Sequence, residues 1–179
     1  MPDLVIRNRR VEQNTWLALA PSESADAAAV EVPGGPVIVP LALWKAQRER
    51  LSRRPAPLGI RLEPGDDPEH VVADLAHFAI IAIHFPKFAD GRGYSTAYLL
   101  RRRYGWTGEL RAMGDVGRDQ LFYLARAGFD SFALPAHRDP AGAMAGLDDF
   151  STTYQSSADG ALPAFRRRAR SPAEPEVHG

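Results

Sequence analysis

The residue types best suited to chemistry lie in one segment of the sequence, residues 84–120. Within it, the run DGRGYS at residues 90–95 combines flexible glycines, a guanidinium and two hydroxyls at the predicted start of a helix. Backbone N–H groups and Arg92, with Lys87 as a further positive charge, could hold a sulfate, phosphate or carboxylate there. The same residues would also form a plain capped turn in which Asp90 pairs with Arg92, so both interpretations stay open.

A second polar run, MGDVGRDQ at residues 113–120, follows the next predicted strand. Asp115 and Asp119 stand near a helix start, where the helix dipole stabilises carboxylates, so helix capping accounts for at least one of them. Asp115 is also a candidate general base, and Gln120 could orient a ligand. His84 ends the preceding strand and is the other candidate for proton transfer, although a lone histidine is more often structural.

Charged residues also alternate along two predicted strands. Arg61 and Glu63 occur on one, and Glu109 and Arg111 on the other, where a parallel sheet is normally apolar on both faces. They indicate either a buried ion-pair network or a ligand site, with equal weight. The predicted catalytic candidates are Asp115 and His84, and the predicted ligand-binding residues are Lys87, Asp90, Arg92, Tyr94, Ser95, Arg111, Asp119 and Gln120.

Short β-rich runs alternate with amphipathic stretches from residue 37 onward, which is typical of repeated βα units. Strands are predicted at residues 37–39, 59–62, 78–85, 109–113 and 131–134, and helices at 44–51, 68–77, 94–104, 118–127 and 139–154. Gly128 fits a helix stop, and Asp139 fits a helix cap. Short connections and right-handed crossovers make these strands parallel neighbours, in either an open sheet or a partial barrel.

The chain divides into three predicted parts. Residues 1–36 contain a small hairpin, formed by 4–7 and 15–19, and a connector; residues 37–155 contain the βα repeats; residues 156–179 form a mobile tail. The predicted fold class is therefore α/β, a parallel sheet with an N-terminal β-hairpin. Ligands of such sheets gather at the carboxyl ends of the strands, which is where the polar runs fall.

Composition disfavours several function classes. The 22 Lys and Arg residues match the 22 Asp and Glu residues, so no net positive field attracts nucleic acid. There is no cysteine, which removes thiolate nucleophiles and the ligands of iron–sulfur clusters. No metal-binding motif such as HExxH occurs, and we expect no metal. No cofactor is required by the sequence, which lacks a Walker loop and a complete dinucleotide fingerprint; flavin or nicotinamide binding stays open.

The sequence also indicates a compartment. Its longest apolar run, FAIIAI at residues 78–83, is far shorter than the roughly 20 residues of a membrane-spanning helix. The first ten residues lack the apolar core of a signal peptide. We therefore expect a cytoplasmic protein that does not contact membranes, and a homo-oligomer is compatible with the sequence.

Two central motifs carry a resemblance to a known family. FADGRGYS at residues 88–95 and GELRAMGDV at 108–116, with VPLALW at 39–44, closely resemble an uncharacterised bacterial domain-of-unknown-function family. Genes of this family tend to lie beside those for sulfite reductase and phosphoadenylylsulfate reductase, and its members are often labelled oxidoreductases. The similarity spans about residues 37–155 and implies a shared site without an established catalytic residue. Residue by residue, it singles out Phe88, Asp90, Gly91, Arg92, Tyr94, Ser95, Arg101, Gly108, Glu109, Leu110, Arg111, Gly114, Asp115, Val116, Asp119 and Gln120.

The resemblance implies an accessory protein of assimilatory sulfate and sulfite reduction, which binds sulfite reductase, phosphoadenylylsulfate reductase or a redox partner. The absence of cysteine favours this hypothesis, because the chain cannot itself hold an iron–sulfur centre. The alternative is a small enzyme or carrier that acts on an anionic sulfur or phosphate compound. In that case Arg92, Arg111 and Lys87 hold the anion, and Asp115 or His84 moves a proton. We favour the accessory hypothesis.

Overall fold

The computed structural model describes residues 4–21, 27–87 and 89–148. Within these ranges the strands are β1 (Leu4–Arg7), β2 (Arg10–Gln13), β3 (Leu17–Ala18), β4 (Val37–Pro40), β5 (Leu58–Leu62), β6 (Ile80–Phe85), β7 (Glu109–Gly114) and β8 (Ser131–Ala133). The α-helices are α1 (Leu41–Ser52), α2 (Glu69–Val72), α3 (Arg92–Arg102), α4 (Leu121–Ala127) and α5 (Pro140–Met144). Short 3-10 turns occur at Ala27–Ala29, Leu75–His77, Arg118–Gln120 and Ala145–Asp148. The predicted tail, residues 156–179, lies outside the described residues.

The eight described strands form one sheet in the order β2-β1-β8-β7-β6-β5-β4-β3. From β3 to β8 the neighbours are parallel and follow chain order, whereas β1 is antiparallel to both β2 and β8. The connections between the parallel strands share one hand, and each adds the next strand on the same side of the preceding one. The connecting helices therefore all cover the same face of the sheet. The predicted α/β fold class, with parallel βα repeats and an N-terminal hairpin, is confirmed.

The sheet is open but strongly curled, as a half-barrel. Its two edges are β2 and β3, which would lie about 34 Å apart in a flat sheet with about 4.8 Å between neighbouring strands. Only residues 14–16 connect these edges along the chain, and an extended chain from Gln13 to Leu17 reaches at most about 14 Å. The edges must therefore approach each other, and the face without helices becomes a concave interior.

The N-terminal hairpin is present, but its second strand differs from the predicted one. β1 pairs with β2, whereas residues 15–19 contain β3, which pairs in parallel with β4 at the opposite edge. Asn8 and Arg9 have φ values of 49° and 59°. Positive φ at both central residues is typical of the two-residue turn that suits the twist of a hairpin. This tight turn pairs the residues directly after it with β1, so the prediction that 15–19 form the second strand is wrong.

Alternate residues of β4 and β6 divide between two apolar clusters. On β6, Ile81, Ile83 and Phe85 belong to the large core under the helices, whereas Ile80 and Ala82 face the concave interior. This period of two is the ordinary consequence of β geometry. In the interior, Ile80 and Ala82 form a small cluster with Ile38, against which the partly buried Trp16 packs. The short link between β2 and β3 therefore lies over the concave face.

The predicted helices are present with different bounds. The helix predicted at 68–77 is divided into α2 and the turn Leu75–His77, and the one predicted at 118–127 begins as a 3-10 turn. α4 ends before Gly128, whose φ of 113° confirms the predicted helix stop. Asp139 caps α5 as predicted, since its carboxylate accepts the N–H groups of Ala141 and Gly142 at 3.0 and 2.9 Å. Residues 149–154 of that predicted helix lie outside the described residues.

No helix in the described ranges is both long and apolar enough to cross a membrane.

Candidate functional site

The carboxyl ends of β5, β6, β7 and β8 lie together at one end of the half-barrel, which we call the mouth. The parallel register brings the four strand ends side by side. Loops that follow such strands carry the active sites of characterised βα barrels, because they converge there while the other end serves stability. The candidate site therefore consists of the side chains at the mouth and in the interior behind it.

Glu63 and His84 meet at the mouth. His84 Nδ1 lies 2.7 Å from Glu63 Oε2, and Arg61 Nε donates a hydrogen bond to Glu63 Oε1 at 2.6 Å. The contact follows from strand register, since Leu62, the last residue of β5, pairs with Ile83 of β6, and the residue after each of them points into the interior. One carboxylate is thus shared between a guanidinium and an imidazole.

Gly114 closes the other side of the His84 ring. Its φ is 98°, and a Cβ at this position would lie 2.7 Å from His84 Cδ2 and 2.4 Å from the carbonyl oxygen of Phe85. No side chain fits at such distances, so glycine lets the end of β7 approach the ring. The side chain of His84 is 21% exposed and lies between Glu63 and the backbone of Gly114.

Arg111 is the centre of a second cluster, in the middle of the interior. Its side chain is only 3% exposed. Nη2 and Nε donate to Glu109 Oε1 at 2.7 and 3.1 Å, and Nε also contacts Ser131 Oγ at 3.2 Å. Nη1 donates to Asn14 Oδ1 at 2.9 Å, and Arg7 Nη1 lies 3.5 Å from Glu109 Oε2. Since Asn14 belongs to the link between β2 and β3, Arg111 fastens this link to the sheet.

The predicted anion loop at residues 90–95 contains an internal ion pair. Arg92 Nε and Nη2 donate to the carboxylate of Asp90 at 3.0 and 2.7 Å, and the backbone N–H of Arg92 donates at 3.1 Å. The side-chain hydrogen bonds from Arg92 hold the pKa of Asp90 below its ordinary value. The side chain of Arg92 is 65% exposed, and Lys87 and Ser95 are exposed as well.

Three other predicted ligand residues come together between α3 and the start of α4. Tyr94 is half-buried and packs edge-on against Phe85, with ring centroids 5.8 Å apart. Burial raises the pKa of Tyr94, the negative charge of Asp119 raises it further, and a hydrogen bond with Gln120 acts in the opposite direction. Gln120 is buried, and its Oε1 accepts the N–H of Gly117 at 2.9 Å. Gln120 therefore fixes the turn that precedes α4.

Asp115 directly follows Gly114 at the mouth. Its Oδ1 lies 3.6 Å from Nη2 of Arg138, a residue in the loop after β8. Nε of Arg138 is buried and has no hydrogen-bond partner in the described part of the chain. Arg138 and Glu63 are absent from the predicted site residues. The alternation of charge on β5 was a signal for Glu63, whereas nothing in the local sequence marked Arg138.

Among residues 4–21, 27–87 and 89–148, no group of three or more His, Cys, Asp and Glu side chains is placed to hold a metal ion.

Comparison with known protein families places the chain in a described family. The sequence model of a family described as a bacterial protein of unknown function, DUF934, matches residues 59–165, which is more than half of the chain. The matched segment includes Glu63, His84, Arg111 and Asp115. No curated protein matches the chain.

Proposed function

Because the chain belongs to the DUF934 family of bacterial proteins, whose function is unknown, we propose a role from the gene neighbourhood that the resemblance implies. In this proposal the protein is an accessory component of assimilatory sulfate and sulfite reduction. It binds sulfite reductase, phosphoadenylylsulfate reductase or a redox partner of these enzymes, and it requires no cofactor of its own.

The pairing of the arginines supports a protein ligand over a small anion. Nη2 of Arg92 lies 2.7 Å from Asp90, and Nη2 of Arg111 lies 2.7 Å from Glu109. A sulfate or phosphate at either guanidinium would have to compete with a carboxylate already in place, and at Arg111 this would leave Glu109 uncompensated inside the sheet. The alternative, a small enzyme whose Arg92 and Arg111 hold an anionic sulfur or phosphate compound, is therefore the weaker proposal.

The outer faces of α3 and α4 supply a surface suited to a protein partner. The two helices pack against each other. Tyr98 on α3 and Tyr123 on α4 are 50% and 52% exposed, and Arg102 is exposed one turn after Tyr98. Arg126 on α4 places its guanidinium 5.9 Å from the centre of the Phe122 ring. We call Tyr98, Arg102, Tyr123 and Arg126 the α3–α4 surface.

The residue types of the α3–α4 surface indicate the chemistry of its partner. Tyrosine and arginine are enriched where protein interfaces carry most of their binding free energy. The two charged side chains of the surface are both cationic, so an acidic patch on the reductase would complement it and would also raise the association rate. This docking surface is the feature on which the proposal depends.

Changing both tyrosines of the α3–α4 surface should weaken binding to the reductase. We expect Tyr98→Ala/Tyr123→Ala to raise the Kd for purified sulfite reductase holoenzyme by at least about 30-fold, because each truncated aromatic anchor loses about 1 kcal/mol or more. Isothermal titration calorimetry of the full chain measures this change. Affinity should also fall as salt is added, since the cationic side chains are screened.

A matched control separates docking from folding. Arg53 directly follows α1 and forms an exposed pair with Glu49 at 2.8 Å, so Arg53→Ala should bind the reductase like the wild type. Thermal unfolding of each variant checks that the fold is intact. Wild-type affinity in the double variant would contradict the assignment of the surface. Failure of the wild-type chain to bind either reductase, oxidised or reduced, would contradict the proposed function.

A further inference from the structure

Asn14 ties the link between β2 and β3 to the interior of the sheet. Its Oδ1 atom accepts two hydrogen bonds, one from Arg111 Nη1 at 2.9 Å and one from the backbone N–H of Trp16 at 3.1 Å. The bond from Arg111 has a charged donor, and such bonds are about twice as strong as bonds between neutral groups. We call residues 14–19, which run from Asn14 through β3 to Leu19, the strap.

Apart from Asn14, the strap is held at a short edge of the sheet. β3 has two residues, and β4 is its one neighbour among the described strands. The N–H of Leu17 donates to the carbonyl oxygen of Pro36 at 3.1 Å, and the N–H of Leu19 donates to that of Ile38 at 2.9 Å. Leu17 is 51% exposed, whereas β4 beside it is buried along its whole length. Segments with few buried contacts open at a lower free energy than the core does.

The strap covers part of the concave interior. Trp16 is partly buried and packs against the apolar cluster of Ile38, Ile80 and Ala82. The side chain of Arg111 is only 3% exposed, although its guanidinium is charged. If the strap lifts, water reaches the apolar cluster, and Arg111 Nη1 exchanges its side-chain acceptor for water. Because these contacts all join the strap to the sheet, they would be lost together.

We infer that the strap is a gate, which opens as a unit while the rest of the sheet stays folded, and that Asn14 is its latch. In the closed form Asn14 holds Arg111, and Trp16 covers the apolar cluster. In the open form solvent and small molecules reach the charged interior around Arg111. β2 stays paired with β1 in the open form, because their register involves none of the strap residues.

The gate uses different residues from the α3–α4 surface and does not depend on the proposed docking function. The docking proposal concerns the outer faces of two helices, whereas the strap lies over the face of the sheet that carries no helices. A loss of reductase binding would therefore leave the gate intact, and a strap that never opens would leave the docking proposal intact.

Amide hydrogen exchange of the full chain, followed by NMR, tests whether the strap opens by itself. We expect Leu17 and Leu19 to exchange at least about 100-fold faster than Ile81 and Ile83 of β6, since local opening requires less free energy than global unfolding. Urea below the unfolding transition should speed exchange at Ile81 and Ile83 and hardly affect Leu17 and Leu19, because its effect scales with the surface exposed. Equal urea dependence at the four amides would overturn the inference.

A core variant separates opening of the strap from global unfolding. Leu100 on α3 is fully buried in the core under the helices. Leu100→Ala should speed exchange at Ile81 and Ile83 by about 30-fold or more, because the cavity lowers the global stability. Exchange at Leu17 and Leu19 should stay at the wild-type rate. An equal acceleration at all four amides would show that the strap opens only when the whole chain unfolds, which contradicts the gate.

Variants of Asn14 test the latch. Asn14→Ala should speed exchange at Leu17 and Leu19 by about tenfold or more, because the closed form loses a hydrogen bond from a charged donor. Asn14→Asp keeps an acceptor for Arg111, so its strap should exchange no faster than that of the wild type. Thr15→Ala, which changes the exposed neighbouring residue, should have no effect. Unchanged exchange at Leu17 and Leu19 in Asn14→Ala would rule out the latch.

Discussion

Replacing Arg111 with methionine should lower the free energy of unfolding by about 3 to 5 kcal/mol. The change leaves Glu109, whose side chain is 15% exposed, without its closest cation, and breaking one partner of a buried pair typically has a cost in that range. It also removes the donor that holds Asn14 at 2.9 Å, so the link across the concave interior loses its attachment. Urea unfolding at neutral pH, followed by circular dichroism, measures the difference.

Two further variants show whether the loss arises from the uncompensated charge. Glu109→Leu combined with Arg111→Met removes both charges, and apolar replacement of a buried pair is often nearly neutral, so most of the stability should return. Arg53→Ala breaks an exposed pair and should change the stability by less than about 0.5 kcal/mol. If Arg111→Met lowers the free energy of unfolding as little as Arg53→Ala does, the contacts of Arg111 in the interior do not stabilise the fold as their geometry indicates.

Gly114→Ala should destabilise the protein by about 3 kcal/mol or more. Two penalties add at this position. A φ of 98° is unfavourable for a residue with a Cβ, and that Cβ would lie 2.4 Å from the carbonyl oxygen of Phe85, a backbone atom that cannot move aside easily. The His84 ring, 2.7 Å away at Cδ2, would also be displaced from its place beside Glu63. Chemical denaturation measures the first effect, and nitrogen NMR of the labelled His84 ring records the second.

Alanine substitutions at two other glycines distinguish the penalty of positive φ from the penalty of close contact. Gly105 has a φ of 68°, and a Cβ added there would have nothing within 4 Å, so Gly105→Ala should cost only the conformational strain, about 1 to 2 kcal/mol. Gly65 has open space and no positive φ, so Gly65→Ala should stay within about 0.5 kcal/mol of the wild type. Equal stability of Gly114→Ala and Gly105→Ala would show that close approach to Phe85 and His84 is unimportant.

The parts of the fold that depend on local pattern could be predicted from the sequence. Short β-rich runs predict β4 to β8 to within about two residues, and the amphipathic stretches between them predict the helices, because periodicity and turn residues are local properties. Gly128 and Asp139 confirmed the predicted end of α4 and start of α5 for the same reason. The curl of the sheet could not be chosen in advance, since it depends on which strands form the two edges.

The candidate site shows a similar division. The pairing of Asp90 with Arg92 spans two residues and was one of the two interpretations of that loop. The contact between Glu63 and His84 spans 21 residues and needs the register of β5 against β6. The contact of Arg111 with Asn14 spans 97 residues and arises only because the sheet curls. Such contacts are set by tertiary packing, and no local signal in the sequence reports them.

Growth on sulfate tests the proposed role in sulfate assimilation most directly. We would delete the gene in its bacterial host and compare growth with sulfate or with cysteine as the only sulfur source. An accessory component of the reductases predicts slow growth of the deletion strain on sulfate and normal growth on cysteine. The wild-type gene should restore growth, and the Tyr98→Ala/Tyr123→Ala gene should not. Equal growth of the deletion strain and its parent on sulfate would contradict the proposed function.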